Sequence, residues 1–174
     1  MKTKADIVFC IDKTASMDPC IEGVKNGIAT LVKALNTAAE VDARFRLIAY
    51  SDIHDPEDGT PWDILPFTES AELFASQVAQ VEAIGRGDAP ESTLDALYIA
   101  LKSDWRTTDT HKTVVLLTDA DTHPTLHSTT FDRPGNDVYR VIQDLHELRH
   151  AMLFIVAPKC EAYIAIEADR KSVV

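Results

Sequence analysis

Apolar residues along this chain fall into short continuous blocks, separated by stretches in which they recur every three or four positions. The first block, Ile7, Val8, Phe9, Cys10 and Ile11, is rich in β-branched and aromatic residues and lacks polar alternation. It predicts a strand buried on both faces, as in a parallel sheet. Asp18 and Pro19 then open a helix, with a carboxylate at the cap and proline at the first helical position. Its inner face is Ile21, Val24, Ile28, Leu31, Val32 and Leu35, with Glu22, Lys25, Asn26, Thr30 and Lys33 opposite. Gly23 and Gly27 lower helix propensity and are expected to let this helix lie close against the sheet.

Residues 45–50 predict a second buried strand, and residues 51–61 a polar turn region with two prolines and Gly59. Residues 62–67 follow so soon that they are expected to return as a hairpin partner, an antiparallel edge. A helix is predicted over 70–83, then a loop through Gly85 and Pro90. Ser92 is placed to cap the next helix, whose inner face is Leu94, Leu97, Tyr98 and Leu101. Residues 114–117 form another apolar block. The stretch to Gly135 reads as loop, residues 136–150 as a helix, 152–157 as a strand, 160–168 as a helix and 171–174 as the start of a strand. Strands alternate with helices. The expected class is therefore α/β: a doubly wound, mainly parallel central sheet with one antiparallel edge strand and helices on both faces, Rossmann-like in plan.

Composition narrows this further. The 174 residues suit one domain, expected over 1–174 and excised from a longer protein. With 17 basic against 28 acidic residues the formal charge is −11. Such a surface repels nucleic acid and anionic membranes and favours divalent cations. No stretch approaches a membrane span, and the first apolar run is too short for a signal peptide. The three cysteines show no close pairing pattern, which fits a reduced, cytoplasmic setting.

The chemistry concentrates at predicted strand ends. Asp12, Thr14 and Ser16 follow the first strand and place three hard oxygens on one side of a tight loop, where open α/β sheets bind ligands. Hard oxygens suit Mg²⁺, Mn²⁺ or Ca²⁺. Taken alone, the same residues are also what an ordinary loop contains. Asp119 follows the strand ending near Thr118, and the loop from Asp88 to Glu91 opens a helix beside it. If the two strands are neighbours, three carboxylates and two hydroxyls converge, and the carboxylates repel unless a cation lies between them.

In these residues the chain resembles the von Willebrand factor type A domains, closest to integrin β-subunit I-like domains and bacterial relatives. That family's metal-ion-dependent adhesion site uses Asp-x-Ser-x-Ser after the first strand, a residue from a second loop, and an Asp after the fourth strand. Here the counterparts are Asp12-x-Thr14-x-Ser16, the Asp88-Ala89-Pro90-Glu91 loop, and the segment from Thr118 to His123. The resemblance implies a metal site of Asp12, Thr14, Ser16, Glu91 and Asp119, holding Mg²⁺, with Mn²⁺ or Ca²⁺ as substitutes. Thr14 and Ser16 are expected to bind directly and at least one carboxylate through water. Three departures stand out. Thr14 replaces the usual serine. Pro19 and Cys20 replace acids that hold an adjacent second metal. Arg86 stands where a ligand of a third cation is expected, and is read as bridging Asp52 and Asp88 in its place.

The function the resemblance implies is protein binding. The metal keeps an open position, and a partner's Asp or Glu carboxylate fills it, with no role for nucleic acid or membrane. The alternative is a Mg²⁺-dependent hydrolase or phosphoryl-transfer enzyme built on Glu91, Asp119 and Asp121, against which stands the lack of a phosphate-cradling glycine loop or Walker-type lysine. Lys13 reads as a solvated loop lysine. A zinc reading pairs His123 with His127 and His146 with His150, four apart in each case, without a supporting Glu or cysteine pair. Tyr50 and Tyr98 are expected in the core with their hydroxyls near the surface, and Arg86-Gly87-Asp88 is read as a chance match to an adhesion tripeptide.

Overall fold

A computed structural model describes residues 2–55, 60–85, 89–168 and 172–173. The chain runs β1 (Thr3–Asp12), a short 3-10 turn (Ala15–Met17), α1 (Asp18–Thr37), β2 (Val41–Tyr50), β3 (Trp62–Ile64) and α2 (Ala71–Ala79). It continues through α3 (Thr93–Leu101), β4 (Thr110–Leu117), α4 (Val138–Glu147), β5 (Ala151–Val156), α5 (Glu161–Glu167) and β6 (Ser172–Val173). The sheet order is β3-β2-β1-β4-β5-β6. Among the described strands only β3 is antiparallel, pairing Ile64 with Ile48 and Trp62 with Tyr50. This is the doubly wound plan read from the sequence, with the antiparallel edge where the short turn after β2 placed it.

The apolar blocks alternate between two layers. Ile7, Phe9, Ile11, Phe45 and Leu47 face α1 and α2, while Val8, Cys10, Ile48, Tyr50, Val114 and Leu116 face α3, α4 and α5. Strands with both faces covered need no polar alternation, which is why these runs are continuous. Phe74 of α2 is fully buried between Phe9 and Phe45, with ring centroids 5.5 and 5.3 Å away.

Several local expectations change. Asp18 is the first residue of α1, not its cap, because the 3-10 turn takes up the preceding residues. Ser92 stands at the N-cap of α3 but its side chain makes no cap bond. Its hydroxyl instead serves Asp52, as described below. The α1 glycines do not permit a close approach: a Cβ on Gly23 or Gly27 would meet nothing within 4 Å. They line an open apolar groove with Phe9, Val115 and Leu117. Tyr50 is wholly buried, and its hydroxyl meets Thr93 Oγ1 at 3.0 Å rather than reaching the surface.

At the amino-terminal edge of the sheet, buried Asp6 accepts from Arg44 (Nε 3.0 Å, Nη2 2.7 Å) and from the backbone N–H and Nε of Arg106 (2.8 and 2.7 Å). Burial pushes the Asp6 carboxyl up. The Arg44 and Arg106 hydrogen bonds and charges outweigh it, so the net direction is down. This clamp ties β1, β2 and the segment after α3 together at the end of the sheet away from the loops that follow β1 and β4.

Candidate functional site

Because β1 and β4 are adjacent and parallel, with Ile11 opposite Leu117, the loops that leave their carboxyl ends emerge side by side. Asp12 is fully buried at the end of β1. Its Oδ1 accepts from the Thr14 backbone N–H at 2.9 Å and from Thr14 Oγ1 at 2.7 Å. Its Oδ2 accepts from Thr118 Oγ1 at 2.6 Å. Thr14 Oγ1 lies 3.2 Å from Ser16 Oγ, and Ser16 Oγ donates to Asp119 Oδ1 at 2.8 Å. One hydrogen-bonded chain thus runs from Asp12 through both hydroxyls to Asp119. Asp12 and Thr14 are buried, Ser16 is half-buried and Asp119 is exposed, so the chain rises from the core to an open rim.

The electrostatics are unbalanced. Burial pushes the Asp12 carboxyl up. Hydrogen bonds from Thr118 and Thr14 work against this, the negative charge of Asp119 adds to it, and the net direction is up. Among the described residues no lysine, arginine or histidine pairs with Asp12 or Asp119. Lys13 is not a solvated loop lysine: it is buried, and its Nζ reaches Asp63 Oδ2 at 2.7 Å and the Thr60 carbonyl at 3.1 Å. Its charge is spent on the β3 edge.

Glu91 arrives by backbone pairing. Its N–H donates to the Asp121 carbonyl at 2.8 Å, and its carbonyl accepts from His123 N–H at 3.0 Å. That stitches the loop before α3 to the loop after β4, and Glu91 itself is buried. The Asp121 side chain is exposed. The candidate donor set of Asp12, Thr14, Ser16, Glu91 and Asp119 is all oxygen and rich in negative charge, and among the described residues Asp12 and Asp119 have no side-chain cation as partner. That is the chemistry a hard divalent cation fits.

For Asp52, just after β2, the expectation is a bridge through Arg86 to Asp88. Arg86 and Asp88 lie outside the described residues. Asp52 Oδ1 accepts from Ser92 Oγ at 2.8 Å and from His54 N–H at 3.1 Å, and it meets His123 Nε2 at 3.0 Å. The His54 ring lies 4.1 Å from that of His123 and 4.8 Å from that of His127. Among the described residues, members of the two zinc pairs read from the spacing have other neighbours. His127 Nδ1 meets Thr129 Oγ1 at 2.8 Å, and His150 lies beyond α4 with its ring facing His111 at 6.5 Å. Spacing along the chain could not reveal the Asp52, His54 and His123 group, since it joins loops after two different strands. A polar loop containing both Asp and His at a strand end was its only signal.

Comparison with known proteins bears on the family and the fold. The sequence profile of the von Willebrand factor A domain matches residues 6–133. The chain is 31% identical over 134 residues to alpha-protein kinase vwkA of Dictyostelium discoideum, a match covering 76% of this chain and 21% of that protein. The chain thus spans about a fifth of that relative's length. Among solved structures it is similar to BatB from Bacteroides thetaiotaomicron (TM-score 0.63, 14% identity, 88% of this chain and 66% of that one). It is also similar to proximal thread matrix protein 1 of the mussel byssus (TM-score 0.62, 13% identity, 90% and 38%). At such identities these two likenesses concern the fold alone. Domains of this family are commonly protein-interaction modules, and many bind a divalent metal. With its profile match across most of the chain and its strand order, the chain belongs to the von Willebrand factor A domain family.

Proposed function

We propose that this domain is a metal-dependent protein-binding module, and that Asp12, Thr14, Ser16, Glu91 and Asp119 hold Mg²⁺ or Mn²⁺ at the rim where the β1 and β4 loops meet. The carrying observation is the hydrogen-bonded chain from Asp12 through Thr14 and Ser16 to Asp119, which joins two carboxylates with no cationic side chain between them among the described residues. The hydroxyls of Thr14 and Ser16 are the direct ligands, and Asp12, already committed to Thr14 and Thr118, acts from behind them. The metal then supplies an electrophilic centre that takes a carboxylate. Because Asp119 is exposed and Ser16 half-buried, a partner's Asp or Glu side chain can reach it.

The kinase name of the Dictyostelium relative belongs to a protein of which this chain spans about a fifth, and no residue here is assigned that activity. The test is calorimetric titration with Mn²⁺, followed by acetate as the simplest carboxylate probe. The intact domain should bind Mn²⁺, and acetate should bind only when the metal is present. Asp119→Ala should weaken Mn²⁺ by at least about 10-fold, the scale seen when even supporting residues of a metal site are removed. Undiminished Mn²⁺ binding by Asp119→Ala would refute the assignment.

A further inference from the structure

We infer that Asp52, His54 and His123 form a second cation site, for a borderline transition metal of the zinc type, independent of the hard-cation site at the neighbouring rim. One ligand atom from each residue can be chosen so that all three lie within 4.8 Å of one another. Tetrahedral zinc with bonds of about 2.0–2.2 Å spaces its donors roughly 3.3–3.6 Å apart. The Asp52 and His123 atoms, 3.0 Å apart, already stand near that spacing. His54 is exposed, its ring centroid lies 4.1 Å from that of His123, and a side-chain rotation would cover the remaining distance.

The carboxylate is oriented as a ligand's would be. Ser92 Oγ and the His54 N–H both donate to Asp52 Oδ1, and Ser92 Oγ itself accepts from Ile53 N–H at 2.9 Å. Such outer hydrogen bonds fix ligand direction and are a regular feature of metal sites. They also account for Ser92 abandoning its cap role at α3. His127 closes one side edge-on against His54. Its Nδ1 is engaged by Thr129, accepting from the backbone N–H at 3.2 Å, so it lines the site as a wall.

The donor chemistry separates the two sites. Two imidazole nitrogens and one carboxylate suit Zn²⁺, Co²⁺ or Ni²⁺, whereas Mg²⁺ and Ca²⁺ take oxygen. With three protein ligands the ion retains an open position. When bound it would pin the loop after β2 to the loop after β4.

The experiment is calorimetric titration of the domain with Zn²⁺ in excess Mg²⁺, which fills the hard site. Parallel titrations use His54→Ala, His123→Ala and His111→Ala, the last as control for the surface pair with His150. One equivalent of Zn²⁺ should bind, each of the first two substitutions should weaken it at least 10-fold, and His111→Ala should leave it unchanged. No Zn²⁺ binding, equal binding by His54→Ala and His123→Ala, or loss tracking His111→Ala would overturn the proposal. X-ray absorption at the zinc edge of the unsubstituted protein is the check independent of variant folding. Scattering from two imidazoles is expected, and an all-oxygen shell would contradict it.

Discussion

Thr14 stands where the resemblance implies a serine, and its surroundings accommodate a threonine. The hydroxyl reaches Asp12 Oδ1 and lies beside Ser16, while the backbone N–H of the same residue donates to the same carboxylate oxygen. The residue is fully buried, so its methyl is covered by protein. Thr14→Ser should therefore retain Mn²⁺ affinity within a few-fold, at a stability cost of about 1 kcal/mol for one buried methyl. Thr14→Val keeps the shape but removes the donor to a buried carboxylate. It should abolish Mn²⁺ binding in the same titration and lower the urea midpoint by an amount equivalent to about 1–3 kcal/mol. Equal Mn²⁺ affinity in Thr14→Val would exclude the hydroxyl as a ligand.

At the scale of elements, two features hold the sheet in the arrangement the site needs. Phe74 ties α2 to β1 and β2. Phe74→Ala should cost about 3–5 kcal/mol in equilibrium unfolding, because a fully buried ring leaves a cavity. The Asp6 clamp acts at the other end of the strands. Since the Asp6 carboxyl is held below its unfolded value, its contribution is present above roughly pH 4 and is lost as pH falls through the folded value. Asp6→Asn should destabilise by about 3–5 kcal/mol near neutral pH, leaving two arginines without their shared acid. The gap to the unsubstituted protein should narrow in urea melts run below pH 4, and a gap that widened there would contradict the assignment. The elements themselves were legible in the sequence because continuous apolar runs such as residues 7–11 and 114–117 have few alternatives to a two-sided strand. What was not legible depended on partners distant along the chain. Ser92 looks like a cap until Asp52 is beside it, Lys13 looks solvated until Asp63 is, and Tyr50 looks like a surface-reaching tyrosine until Thr93 takes its hydroxyl. The glycines of α1 failed differently, since helix spacing says which face they occupy and nothing about whether that face is filled.

For the molecule as a whole, the topology accounts for where its acids meet. The net charge of −11 opposes compaction, and at the rim Asp12 and Asp119 come together without a basic partner among the described residues. A cation bound there by the native state alone should stabilise it by about 2.7 kcal/mol at a free concentration 100 times Kd. At roughly 2–4 °C per kcal/mol, Tm should rise by about 5–10 °C and return to its starting value with EDTA. Metal at this rim is tested most directly by a crystal of the domain grown in Mn²⁺, with anomalous differences recorded at the manganese edge. A single strong peak is expected within bonding distance of Thr14 Oγ1 and Ser16 Oγ, with Asp119 directly or through water in its shell. An empty rim, with Ser16 still donating to Asp119 at millimolar Mn²⁺, would contradict it.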